Sequence, residues 1–242
     1  MALASSKAGL RGLPSKLRYF ADVLKKLNGV TARVCPICGY SGRFNAFGHP
    51  PRYDAECPRC TSLERHRLLY LAMQNEAVLS PAAEVLHFAP EQALTRFVKP
   101  RVGKYVTADL ERGLGDLALD LENIALPDGS FDVVIANHVL EHVNDQTALR
   151  ELWRILRPQG VLVITVPLIE GWDKTYEDDR IKTPQQRDLH FGQWDHVRYY
   201  GRDFRDRVKA AGFVLTEFTA SGADTVRYGL LRGERAFFAR KG

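Results

Sequence analysis

The chain has 242 residues, 45% hydrophobic and 26% charged, with a formal charge of +5. That is the composition of an ordinary globular protein, long enough for one sizeable domain and a small module. No apolar run approaches the ~20 residues of a membrane span, which argues against a transmembrane segment.

The charge is uneven, +8 over residues 1–70 and −3 over the rest. A basic first third invites a nucleic-acid or anionic-surface reading. Four thiolates and one Zn²⁺ in the same region would weaken it by adding −2. Lys7, Arg11, Lys16 and Arg18 precede the first acid, Asp22. The start lacks the apolar stretch of a secretory signal and reads as a solvated basic lead-in, with a transit peptide as the alternative. Within residues 1–30, Leu13, Leu17, Phe20, Ala21, Leu24 and Leu27 mark an amphipathic helix with basic flanks and a core-packing face.

Residues 31–80 hold all four cysteines: Cys35 and Cys38 in CPICG, Cys57 and Cys60 in CPRC. Two residues between cysteines put both sulfurs of one tight turn on the same ion, and four soft thiolates select zinc over a rubredoxin-like iron site. The opposing reading is a redox dithiol or free thiols, which a single CxxC would leave open and two argue against. Four ligands fill the shell, so the metal is structural. A zinc ribbon is expected, then a helix over 61–78 capped by Thr61 or Ser62. With no cysteine left for a disulfide framework, a reducing, cytoplasmic home is expected.

From residue 81 to 242 short β-rich runs alternate with helical ones. Strands are expected at 84–89, 105–109, 117–119, 131–137, 161–167, 213–218 and 236–240, with helices at 92–98, 145–156 and 201–211. This is the pattern of an α/β fold with a doubly wound, seven-stranded, mostly parallel Rossmann-like sheet. Arg157-Pro158-Gln159-Gly160 reads as a helix stop, and VLVITV after it as a central strand buried on both faces.

In such sheets ligands bind beyond the carboxyl ends of the strands. Strand one ends in His87-Phe88-Ala89-Pro90-Glu91, where a nucleotide-type site would carry glycines and this chain has none. Asp109 follows about twenty residues on, the spacing at which an acid meets a ribose diol. Asp120 and Asn137-His138 close later strands. Each acid has an ordinary alternative as a loop cap.

YVTADL, then LPDGSFDVVIANHVLEHV, then ALRELWRILRPQGVLVITVP together resemble the class I S-adenosylmethionine-dependent methyltransferases of the type 11 group, over roughly residues 81–240. With the cysteine module in front and FGQWDHVRYYGRDF behind, the chain also looks like a bacterial subgroup that tailors surface polysaccharides or small metabolites. The resemblance makes Asp109 the ribose carboxylate, with Leu110 beside it, and places Asp120 and Leu121 by the adenine. It sets Asn137 and His138 under the methionine moiety. His87, Ala89, Pro90 and Glu91 stand where the family has an acid and spaced glycines. Because S-adenosylmethionine has no phosphate, the loop reads as a rebuilt cofactor site: Ala89 is small, Pro90 suits a first helical position and Glu91 could take the ammonium.

A hydroxyl or amine acceptor needs a base, and histidine is the default. The long insert at 168–202 reads as a substrate lid. Within it Asp195-His196 supplies the expected base, His138 is the second choice, and Glu141 and His142 read as structural or cofactor-side. Tryptophan and tyrosine faces with carboxylates suit a glycan or other polar small molecule. RNA methylation with the zinc module as a grip is the alternative, against which no Asn/Asp-Pro-Pro-Tyr/Phe motif is present. A non-catalytic module with a degenerate loop is the third reading. The oligomeric state is left open.

Overall fold

The computed structural model describes residues 15–242, so Lys7, Arg11 and Leu13 lie outside the described residues. Contacts divide the chain into two units, one running to Arg67 and including Ser221–Arg232, the other holding Leu68–Ala220 and Gly233–Gly242.

In the first unit α1 (Ser15–Lys26) presents Leu17, Phe20 and Leu24 exposed. None of its residues is buried, so the expected core-packing face is not observed. Two antiparallel pairs follow, β1 (Ala32–Val34) with β2 (Ser41–Arg43) and β3 (Asn45–Phe47) with β4 (Arg52–Glu56). Helix α2 (Glu64–Asn75) begins in this unit and ends in the second. Arg67 is fully buried. It donates to the carbonyls of Ala55, Ser62, Tyr228 and Gly229 and lies 4.7 Å over the Phe44 ring. One guanidinium thereby ties the cysteine module to residues 228–229, satisfying carbonyls that burial would otherwise leave unpaired.

In the second unit α2 is followed by β5 (Glu84–Phe88), α3 (Gln92–Val98), β6 (Lys104–Asp109), β7 (Leu117–Ala118), β8 (Phe131–Asn137), α4 (Asp145–Ile155) and β9 (Leu156–Thr165). The insert contributes β10 (Tyr176–Glu177), α5 (Pro184–Phe191) and β11 (Arg198–Tyr199), and the chain continues with α6 (Phe204–Ala210) and β12 (Phe213–Phe218). Helix α7 (Gly222–Tyr228) belongs to the first unit, and β13 (Ala236–Lys241) closes the sheet. The seven strands are ordered β12-β13-β9-β8-β5-β6-β7. β5 pairs parallel with β6 and β8, while β13 is antiparallel to both β9 and β12. The expected seven-stranded, mostly parallel, Rossmann-like sheet is therefore present, with only β13 reversed.

The apolar runs explain this. Val85, Leu86, Val133, Val134, Ile135, Leu162, Val163 and Ile164 are buried and β-branched or leucine, as strands covered on both faces require. Ala148, Leu149, Leu152 and Ile155 recur at helical spacing and give α4 one buried side, with Asn144 capping its start. β9 begins directly at Leu156. The expected stop at Arg157-Pro158-Gln159-Gly160 is instead a kink inside that strand, with Gln159 at φ 65° and a register break opposite Phe131–Val133.

Candidate functional site: a cleft at the strand ends and a four-cysteine cluster

The four cysteines come together as the spacing requires. Both knuckles are built alike: the Cys35 carbonyl accepts from Gly39 N and its amide donates to Tyr40 O, and Cys57 does the same with Thr61 and Ser62. The fifth residue of each turn is left-handed, Gly39 at φ 72° and Thr61 at φ 58°. Sγ–Sγ distances are 3.6 Å for Cys35–Cys60 and 3.7 Å for Cys38–Cys57, and all four sulfurs lie within 4.8 Å of one another. Thiolates at ~2.3 Å from one tetrahedral ion sit about 3.8 Å apart, whereas a disulfide needs ~2.05 Å. The residues present thus fit a Cys₄ metal. The Ser62 hydroxyl lies 3.4 Å from Cys35 Sγ and 3.2 Å from Cys60 Sγ, so it faces the sulfurs and does not cap α2. Burial pushes the thiols of Cys38 and Cys57 up, a cost that a bound dication removes.

In the second unit the chain order reverses between β5 and β8, and a cavity of about 340 Å³ opens at their carboxyl ends. Phe88, Ala89, Asp109, Leu110, Asp120, Leu121 and His138 line it, together with Val139, His142, Val143 and Asp195. Ala89 has φ 45° and is exposed. It makes the left-handed turn that a glycine would make, at a cost of about 1 kcal/mol, and its lone methyl leaves the cleft open. Asp109 closes β6 and Asp120 the following loop. Each commits Oδ1 to an Asx turn, Asp109 to Glu111 N at 3.0 Å and Asp120 to Glu122 N at 2.9 Å.

Four of the sequence-predicted cofactor residues fall elsewhere. The His87 ring is fully buried within the sheet layer, its Nδ1 2.7 Å from Tyr105 Oη. Pro90 precedes the cap of α3 and Glu91 is that cap, so the expected proline start is displaced by two residues. Asn137 is buried, its amide oxygen accepting from Thr165 Oγ1, and does not line the cleft.

The insert is a folded element. Arg198 donates from Nη1 to the carbonyls of Leu140 and Val143 and from Nε to Glu177, and Val197 N donates to Glu141 O. Tyr200 Oη bonds Leu140 O and Asp145, and Arg207 joins Asp145 to Glu177. This network presses the insert onto the turn after β8 and brings His196 and Asp195 against it. Phe191 and Tyr200 are spent in the core, leaving Trp172, Tyr176 and Trp194 exposed. His190 bonds Tyr176 inside the insert, away from the cleft.

At this junction His138, at φ 51°, directs Nδ1 to Glu141 Oε1 at 3.1 Å and lines the cleft, with Nε2 buried. His142 Nδ1 meets Asp195 Oδ2 at 3.2 Å, and the His142 and His196 rings stand edge to face 4.7 Å apart. Burial pushes the His196 imidazolium below its usual range, and the Glu141 carboxylate opposes this only in part. His196 does not itself line the cleft. Sequence reasoning left out Val139 and Val143, whose only signal was their place in the HVLEHV run beside two histidines.

A family model described as a methyltransferase domain, Methyltransf_11, matches residues 82–164. They span β5 to β9 and so include every strand end that frames the cleft. The chain is 28% identical over 130 residues to the 2-methyl-6-phytyl-1,4-hydroquinone methyltransferase of Synechocystis, covering 47% of this chain and 38% of that one. It is 32% identical over 121 residues to the malonyl-[acyl-carrier protein] O-methyltransferase of Yersinia pestis, covering 44% and 42%. The chain spans 25% to 42% of the length of the curated relatives it matches. The YcgJ protein of Bacillus subtilis shares the fold, with a TM-score of 0.50 at 16% identity, covering 73% of this chain and 98% of that one.

Proposed function

We propose that the protein is an S-adenosylmethionine-dependent methyltransferase acting on a hydroxyl of a glycan or small polar metabolite. The observation that carries the reading is the cleft at the β5/β8 reversal, where Ala89, Asp109, Leu121 and His138 face one cavity within the methyltransferase domain. Asp109 binds the ribose diol; Leu119 and Leu121 wall the adenine beside Asp120. The left-handed Ala89 lets the backbone approach the amino-acid end. When bound, S-adenosylmethionine supplies a methyl group on a sulfonium whose bonding pair stays on sulfur after transfer. His138 is the better-placed base: it lines the cleft, and donating Nδ1–H to Glu141 leaves Nε2 basic, a buried nitrogen without a hydrogen-bond partner among the described residues that a turn of the ring brings to the acceptor's proton. Alignment of acceptor and methyl group in the cleft supplies much of the rate. Oxygen as the nucleophile agrees with the name of the Yersinia pestis relative.

The cysteine cluster holds a structural zinc in this reading, and four cysteines kept free of disulfides fit the reducing conditions of a cytoplasmic home.

The test is calorimetric titration of S-adenosylhomocysteine into the zinc-loaded chain, with Asp109→Ala beside the parent. Micromolar binding that the substitution weakens at least tenfold is expected. A folded parent that binds nothing removes the cofactor reading in favour of a non-catalytic module. Once a sugar, metabolite or RNA acceptor is found by screening, His138→Ala should lower kcat by about 10²–10⁴-fold with the homocysteine affinity unchanged.

A further inference from the structure

We propose that Glu141, His142 and His196 bind a divalent transition-metal cation at the wall of the cleft, where it ligates the acceptor's hydroxyl oxygen. The metal site stands on its own geometry; only its role toward the acceptor rests on the methyl-transfer reading of the cleft.

One ligand atom from each of the three residues lies within 4.8 Å of the others. Small side-chain rotations bring such a set onto one ion at about 2.0–2.2 Å. The surroundings of each residue are those of a metal ligand. A ligating imidazole offers one nitrogen to the ion and directs the other N–H to a carboxylate or carbonyl that fixes its orientation. His142 directs Nδ1 to Asp195 Oδ2 at 3.2 Å, and His196 directs Nδ1 to the Phe191 carbonyl at 3.2 Å. Each histidine therefore has its Nε2 left for an ion. Glu141 repeats the pattern: Oε1 accepts from His138, while Oε2 has no hydrogen-bond partner among the described residues although Glu141 is 0% exposed. A buried carboxylate oxygen without a partner is costly, and a dication satisfies it.

The donor set also defines the ion. Two imidazoles and one carboxylate suit manganese, iron or zinc, and three protein ligands leave positions open for water or substrate. The Cys₄ cluster differs on both counts, being all sulfur and closed. His142 and Asp195 line the cleft, so the open positions face the cavity. An acceptor oxygen held there becomes more acidic, its proton passes to His138 Nε2, and the oxygen lone pair is freed for the methyl group. The acceptor class narrows to compounds whose reacting hydroxyl can ligate a hard cation, such as a vicinal diol, a catechol or a hydroxy acid.

The test is titration of Mn²⁺, which binds thiolates poorly, into the 242-residue chain with zinc already on its cysteines. Free Mn²⁺ is followed by electron paramagnetic resonance, and folding of each variant by circular dichroism. One Mn²⁺ per chain is expected, bound at least tenfold more weakly by His196→Ala and Glu141→Gln. Asp195→Asn, which removes only the orienting charge on His142, should cost about 10–100-fold. A second equivalent of zinc should bind competitively and disappear in His196→Ala. No Mn²⁺ or second zinc bound, or equal affinity in all folded variants, overturns the site. S-adenosylhomocysteine titrated into the same samples separates the two readings: its binding without Mn²⁺ overturns the metal site alone, and Mn²⁺ binding without it upholds the metal site and overturns the cofactor reading.

Discussion

At the scale of single residues, the cleft is framed by two backbones that side chains rarely adopt. Ala89 at φ 45° begins the turn after β5 and His138 at φ 51° directly follows β8, and both line the same cavity. Strain kept at two neighbouring strand ends indicates a geometry that the surrounding sheet enforces. Ala89→Gly should raise stability by about 1 kcal/mol while retaining S-adenosylhomocysteine binding, because only the strain is removed. Ala89→Val should lower stability by more than that and abolish binding, since a β-branched residue tolerates φ > 0 poorly and fills the cleft. Thermal unfolding and calorimetry read both, and an unchanged melting temperature for the glycine variant would refute the strain. The glycine-free loop was legible in the sequence as a departure, but its left-handed turn was not. Nothing in HFAPEQ names the residue that takes positive φ, since that is set by pairing of β5 with β6 and β8 on either side.

At the scale of elements, the insert shows how a long loop becomes a fixed wall. β10 and β11 form a two-stranded sheet, α5 carries a capping box at Thr183 and Gln186, and Arg198 and Arg207 clamp Glu177. Burial pushes the Glu177 carboxyl up, yet the guanidiniums of Arg207 and Arg198 override it and hold it below the usual range. The folded value is therefore below the unfolded one. The clamp's stabilisation is fully present above about pH 4.3 and is lost as pH falls through the lower, folded value. Acidification below about pH 4.3 should loosen the insert, seen as a change in tryptophan emission, and Glu177→Gln should flatten that transition. An identical acid midpoint in the glutamine variant would show that the clamp does not set it. The insert's existence was readable from its length and aromatic content. Which aromatics stay free was not, because Phe191 and Tyr200 enter the core only through contacts with elements distant in sequence.

At the scale of the whole molecule, the chain builds two units from an interrupted order, with α7 leaving the sheet unit between β12 and β13 to join the cysteine module. The expected division into residues 1–30, 31–80 and 81–242 has no such return. α7 is too short and too polar for its sequence to show which unit it joins. The first unit is small, and its buried centre is largely cysteine, with Phe44 beside it. In the proposed reading, a unit of that size depends on a metal held by those cysteines. Removal of zinc by a strong chelator should abolish protection of the 31–63 amides in hydrogen exchange and leave β5, β8 and β9 protected. Full protection in a verified zinc-free chain would show that the thiols are dispensable to the fold.

The sequence by itself determined the elements whose pattern is local. Strand runs buried on both faces, the helical stripe of α4 and the paired CxxC turns follow from spacing alone, because hydrophobic period and ligand spacing act within a few residues. The seven strands were read within a few residues of their ends, save β9, whose start lies five residues early because its kink carries the stop signal of a helix. Only the tertiary structure decided which strand-end residues meet. His87, Asn137 and Glu91 were excluded from the cleft, and Glu141, His142, Asp195 and His196 were gathered beside it. Those placements depend on sheet order and on the Arg198 anchor, contacts 50 and more residues apart along the chain, which no local pattern encodes.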